Sequence, residues 1–200
     1  VEPVSVGNIH GNCENYPMLG MIAKWVEKQG GVAGWAHGGE VIKLFEALPV
    51  EAALKRISFV EVVQFNVFFG FLYWYRLLNC GLRLSCTAGS DFPFGSNKLA
   101  PWYVNLGRDR TYVNTNGNFS YAGWLDGIKR GENFSTNGPL LFLTVNGKGP
   151  GAVINIQPGE KVVVSARAVC NYPLDALEII VNGGVLKRAE GKGGSTRMLC

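Results

Sequence analysis

Apolar and polar positions along the first ninety residues repeat one pattern three times. Over residues 16–28 the side chains Met18, Leu19, Met21, Ile22, Trp25 and Val26 recur at helical spacing. Pro17 suits a first turn, and Gly30 with Gly31 stops the helix. Residues 32–36 form a short apolar run that empties into His37-Gly38-Gly39-Glu40, as a buried parallel strand running into a loop does. The pattern then predicts a helix over 49–56, a buried strand over 58–65 ending at Asn66, and a helix over 69–79 that Gly81 stops. A third strand over 84–88 turns through Gly89-Ser90-Asp91. Helices alternating with buried strands argue for parallel strands joined by crossover helices. In such folds the chemistry lies just beyond the C-terminal strand ends.

Residues 92–108 are rich in proline, glycine and aromatics and read as a long loop over that end. A strand over 111–115 and a helix over 120–129 follow, the helix capped by Ser120 and ended by Gly131. From Pro139 the texture changes. Short β-rich runs at 140–145, 152–156, 161–168, 176–181 and 184–187 alternate with the turn signals Asn146-Gly147, Pro150-Gly151, Pro158-Gly159 and Asn182-Gly183. The chain therefore divides into an α/β portion over 1–138 and a small antiparallel β-sandwich over 139–200.

Composition narrows the function. With 47% hydrophobic and 17% charged residues, the 200-residue chain has apolar material for one sizeable core and a smaller one. A net charge of +4 carries no basic cluster, which argues against nucleic acid or a membrane surface and for a small-molecule substrate. The apolar run over 60–78 resembles a membrane span, but Glu61, Gln64, Asn66, Gly70 and Arg76 interrupt it. Cys13, Cys80, Cys86, Cys170 and Cys200 are odd in number and far apart, which suits neither a disulfide framework nor a zinc knuckle. No charged-then-apolar leader opens the chain, so no compartment is read from it. The sequons at Asn118 and Asn133 are within chance occurrence.

His37, Asn66 and Asp91 end three consecutive strands, and this coincidence of position and residue type marks the candidate site. His37 is read either as a metal ligand or as a loop histidine, and Asp91 either as a ligand aimed inward by two small residues or as a loop cap. The only other histidine, His10, reads first as a loop residue and second as a further ligand. Glu61 and Asn66 stand evenly between site and structure. Arg110 could hold an oxyanion, the competing reading being an ion pair of Arg108 or Arg110 with Asp109, and Tyr112 could donate a phenolic hydrogen bond or simply pack. With no G-x-S-x-G, no P-loop and no dinucleotide fingerprint, metal-assisted hydrolysis ranks above covalent catalysis.

The stretches QGGVAGWAHGGE, LPVEAAL, FVEVVQFN, WYRLLNCGLRLSCTAGSD, RTYV, FSYAGWLDGIKRGENFSTNGPLL and LTVNGKGPG carry a resemblance. In them the chain resembles the carbaryl-hydrolase-like (CehA/McbA) branch of the PHP superfamily of metallohydrolases, over roughly residues 17–182. The resemblance implies a partial PHP-type (β/α) barrel with parallel strands, and hydrolysis of an ester, carbamate or phosphoester. It implies divalent metal bound by histidines and carboxylates, with His37 and Asp91 at the matching positions. The hydrolase expected on this basis holds zinc or manganese at His37 and Asp91, with His10 or Glu61 as further contributors, and Arg110 stabilises the developing negative charge. The chain departs from the superfamily pattern in lacking an N-terminal His-x-His pair and in carrying Pro93 where the closing Asp-x-His motif has its histidine. The open edges of a partial barrel are expected to be covered by self-association or by an N-terminal segment.

Overall fold

The computed structural model describes residues 19–39, 47–64, 67–68, 70–92, 106–192 and 196–200. Helix α1 (Leu19–Lys28) leads into the two-residue strand β1 (Gly34–Trp35), and α2 (Leu48–Ala53) into β2 (Phe59–Gln64). After β3 (Val67–Phe68), α3 (Phe71–Asn79) leads into β4 (Ser85–Gly89). Strands β1 and β4 both pair parallel with β2, in one row Gly34, Phe59 and Ser85 and in the next Trp35, Val60 and Cys86. Strand β3 returns antiparallel along the far end of β2. The expected alternation of helices with parallel strands is therefore present. The described strands form an open sheet, not a closed barrel.

This sheet carries the main core. Val60 and Val63 are wholly enclosed with Leu48 of α2, and Trp35, Val62, Leu77 and Leu84 complete the cluster. Val62 and Val63 are both buried because the pairing of β2 with β4 slips by one residue between Glu61 and Val63, a bulge that breaks the alternation of faces. The run over 60–78 resolves into β2, β3 and α3, and among the described residues no helix is long and apolar enough to cross a membrane.

Beyond residue 105, β5 (Arg110–Val113) and β6 (Asn133–Thr136) form an antiparallel pair around α4 (Tyr121–Arg130). The capping residues of α4 are those its sequence indicates: the Ser120 side chain accepts from the Gly123 N–H at 3.0 Å, and Gly131 closes the helix at φ 74°. Ser120→Ala is expected to cost about 1 kcal/mol, read as a lowered midpoint in urea with an unchanged slope. An unchanged midpoint would show that α4 is held by packing alone.

The β5–β6 pair lies along the outer edge of β4. Thr111 Oγ1 accepts from the Ala88 N–H at 2.8 Å and donates to the Ala88 carbonyl at 3.1 Å. The Asn133 amide donates to the Cys86 carbonyl and accepts from the Ser85 hydroxyl. One edge expected to need a second copy or another segment is thus covered from within the chain. Asn133, the asparagine of one sequon, is buried and committed to these bonds.

In the remainder, β7 (Leu140–Val145), β8 (Val164–Val169) and β11 (Arg197–Leu199) form one antiparallel sheet, and β9 (Ala176–Val181) with β10 (Gly184–Glu190) a second. Ala166, Ala168, Leu177, Ile179 and Met198 make a separate apolar cluster between them. The strand expected over 152–156 is absent, and the one expected from 161 begins at 164. Val153, Ile156, Val162 and Val163 are exposed, so the alternation there has no described partner strand to pack against. The chain returns instead through Asn146, whose side chain accepts from the Val163 N–H at 2.8 Å.

Candidate functional site

The C-terminal end of the parallel sheet is assembled by three glycines and one carboxylate. After β1 the chain makes a tight turn over Ala36–Gly39, in which His37 (φ 58°, ψ 20°) and Gly38 (φ 56°, ψ 9°) are both left-handed. Histidine tolerates that region better than branched residues do. Gly70, itself left-handed at φ 63° ahead of α3, lies against this turn so closely that a Cβ on it would stand 2.2 Å from the Gly38 carbonyl oxygen. The start of α3 and the His37 turn are therefore in backbone contact.

This turn aims the His37 N–H at the Glu61 carboxylate, which accepts from it at 3.1 Å through Oε2. Glu61 sits on β2 beside Thr87 of β4, and its other oxygen lies over Gly89, where an added Cβ would approach to 2.5 Å. The absent side chain at Gly89 makes the room in which the carboxylate rests. Burial raises the Glu61 pKa above its ordinary value; the His37 N–H and the nearby imidazole oppose the rise, and the charges of Asp91 and Asp109 reinforce it. Glu61, His37, Asp91 and Asp109 thus act on one another at the end of the sheet where the strand pattern places the chemistry.

Asp91, two residues past the end of β4, is left-handed (φ 54°) and exposed to solvent. Asp109 is buried and was not singled out by sequence; Arg108 and Arg110 on either side of it read as its ion-pair partners. It comes near Glu61 because Thr111, two residues on, pins β5 to Ala88 at the end of β4. Arg110 stands one residue before Thr111, and successive strand residues face opposite ways. Its guanidinium lies over the Tyr112 ring at 5.8 Å, and that ring stacks on Phe134 at 5.1 Å. Arg110 and Tyr112 therefore occupy the exposed face of β5, turned from the Thr111 contact. His10, Glu40 and Asn66 lie outside the described residues.

An imidazole and carboxylates are donors that zinc or manganese accepts. Yet among the described residues no three His, Cys, Asp or Glu side chains stand close enough together to hold one ion. The kind of donor fits a divalent cation, and the described residues alone do not complete its coordination. What they do build is a half-buried carboxyl with raised proton affinity, bonded to the backbone of a histidine and within the electrostatic reach of Asp91.

No protein-family model, no curated protein and no solved structure matches the chain.

Proposed function

We propose that this chain is a hydrolase acting on small-molecule ester, carbamate or phosphoester bonds at the C-terminal ends of β1, β2 and β4, within a partial PHP-type barrel. The observation that carries this reading is Glu61, a carboxyl of raised proton affinity held between the His37 N–H and Gly89. A carboxyl whose proton affinity burial has raised is suited to giving and taking a proton at the scissile bond. The exposure of Asp91 leaves the same end open to a substrate. His37 and Asp91 are the side chains that would hold a divalent cation, zinc or manganese, which when bound supplies a water of lowered pKa.

A second reading is a binding module on the same scaffold, favoured by the short donor set among the described residues at this end. Turnover of p-nitrophenyl acetate, p-nitrophenyl phosphate and an aryl carbamate, with zinc or manganese added, separates the two. The hydrolase is expected to turn over at least one of them, to lose about a hundredfold or more of kcat/KM in Asp91→Asn, and to retain less metal in His37→Ala by elemental analysis. A folded protein with no turnover on any of the three, and a metal content near zero that His37→Ala leaves unchanged, would establish the binding module instead.

A further inference from the structure

We infer that the opposite end of the parallel sheet is a binding site for a small organic phosphate with an apolar body. A cavity of about 450 Å3 lies where the chain enters the strands, bordered by Ala33 before β1, Ser58 before β2 and Leu82 before β4. Its apolar floor is Ala23, Ala52 and Ile57, all buried in the fold. Its lining carries four cations, Lys55, Arg56, Arg83 and Lys129, and one carboxylate, Glu27, with Arg56 also ion-paired to Glu51. The size is that of a small-ligand cleft, and the charge is that which a phosphate dianion requires.

The cations are not consumed by the fold. Among the described residues the Lys55 and Lys129 ammonium groups have no hydrogen-bond or ion-pair partner. Arg83 gives one N–H to the Gly151 carbonyl at 2.6 Å, and Arg56 meets Glu51 at 3.3 Å, so both guanidinium groups keep further donors. Negative helix ends attract basic residues one at a time. That attraction does not bring four to one cavity, and Lys28, in the last turn of α1, does not line it.

Two further observations point the same way. Lys55 is left-handed at φ 55°, at the exit of α2, a place where glycine is the unstrained choice. A strained backbone position occupied by a lysine that lines a cavity is a mark of use. Arg83 and Lys129 also line a neighbouring groove of about 1020 Å3, whose walls include Trp74, Leu78, Leu141 and Leu143. The two hollows share their cationic wall, so an anion seated on that wall can extend an aromatic or aliphatic body into the groove.

The test is titration of the whole chain with phenyl phosphate at low ionic strength, followed by calorimetry. At this end one phenyl phosphate per chain is expected, retained in Asp91→Asn, bound more tightly than inorganic phosphate and much more tightly than phenol, and weakened steadily by salt. Lys129→Gln is expected to weaken binding about tenfold, and Lys129→Arg to retain it. Lys55→Gly is expected to weaken it similarly while holding or raising the melting temperature, because it relieves the left-handed lysine; loss of affinity through misfolding is thereby separated out. No binding to the folded protein, binding indifferent to both lysines, or binding abolished by Asp91→Asn but untouched by Lys55→Gly would overturn the assignment.

Discussion

Gly70→Ala is expected to destabilise the chain by about 3 kcal/mol or more, among the larger losses a single methyl group can cause. Two penalties combine at this position. The residue is left-handed at φ 63°, which costs a non-glycine roughly 1–2 kcal/mol. The added Cβ would also stand 2.2 Å from the Gly38 oxygen and 2.4 Å from its Cα, and backbone atoms cannot swing aside as a side-chain tip can. Either α3 must lift from the sheet or the turn carrying His37 must move. Gly81→Ala is the control: that glycine is also left-handed, at φ 78°, but has nothing within 4 Å of an added Cβ. Urea unfolding of both variants separates conformational strain from collision. Equal losses in the two would show that the Gly70–Gly38 contact contributes nothing.

The second large effect is at Glu61. If this carboxyl moves the proton in turnover, Glu61→Gln should lower kcat/KM by about a hundredfold to ten-thousandfold, while the protein becomes more stable at neutral pH. The sign follows from the direction of the shift. The pKa of Glu61 in the fold lies above its ordinary 4.5, so the folded state holds the proton more tightly than the unfolded chain does. The stability this contributes is fully present below 4.5 and is lost as pH rises through the folded value. At neutral pH the wild type therefore keeps a poorly solvated charge that glutamine removes, while the amide oxygen can still accept from the His37 N–H. Melting temperatures measured against pH should show Glu61→Gln above wild type at neutral pH and the two converging in acid. A variant less stable than wild type at neutral pH would mean that the His37 bond requires a full carboxylate.

The three helix–strand units were legible because their strands are short apolar runs bounded by glycine or polar residues, and their helices keep a 3.6-residue spacing. The ends differ by a few residues where backbone geometry decides them, as at Gly70. Strand β6 was not legible: its buried residues, Asn133 and Thr136, are polar, and Asn133 is satisfied by Ser85 and Cys86, far away in sequence, while Thr136 turns to the Pro139 carbonyl. The false strand at 152–156 is the converse, apolar residues in alternation that nothing among the described residues covers. At the candidate site, His37 and Asp91 were singled out by their place after strands. The bond from the His37 backbone to Glu61 depends on a left-handed turn, and the approach of Asp109 on a hydroxyl contact across twenty-three residues between Thr111 and Ala88; neither leaves a local signal.

The way β4 is finished has a consequence for assembly. A parallel sheet of three strands ends in rows of amide and carbonyl groups that any extended chain can join, the usual starting point of strand-to-strand aggregation. On this side the row is occupied by a threonine hydroxyl and an asparagine amide, which reach Ala88 and Cys86 without continuing the ladder. Side-chain groups of this kind end the sheet without offering a new edge of their own at the point of contact. On this border, two small polar residues outside the parallel sheet stand where another chain could pair, and loss of Thr111 or Asn133 would bare backbone groups beside an otherwise complete core.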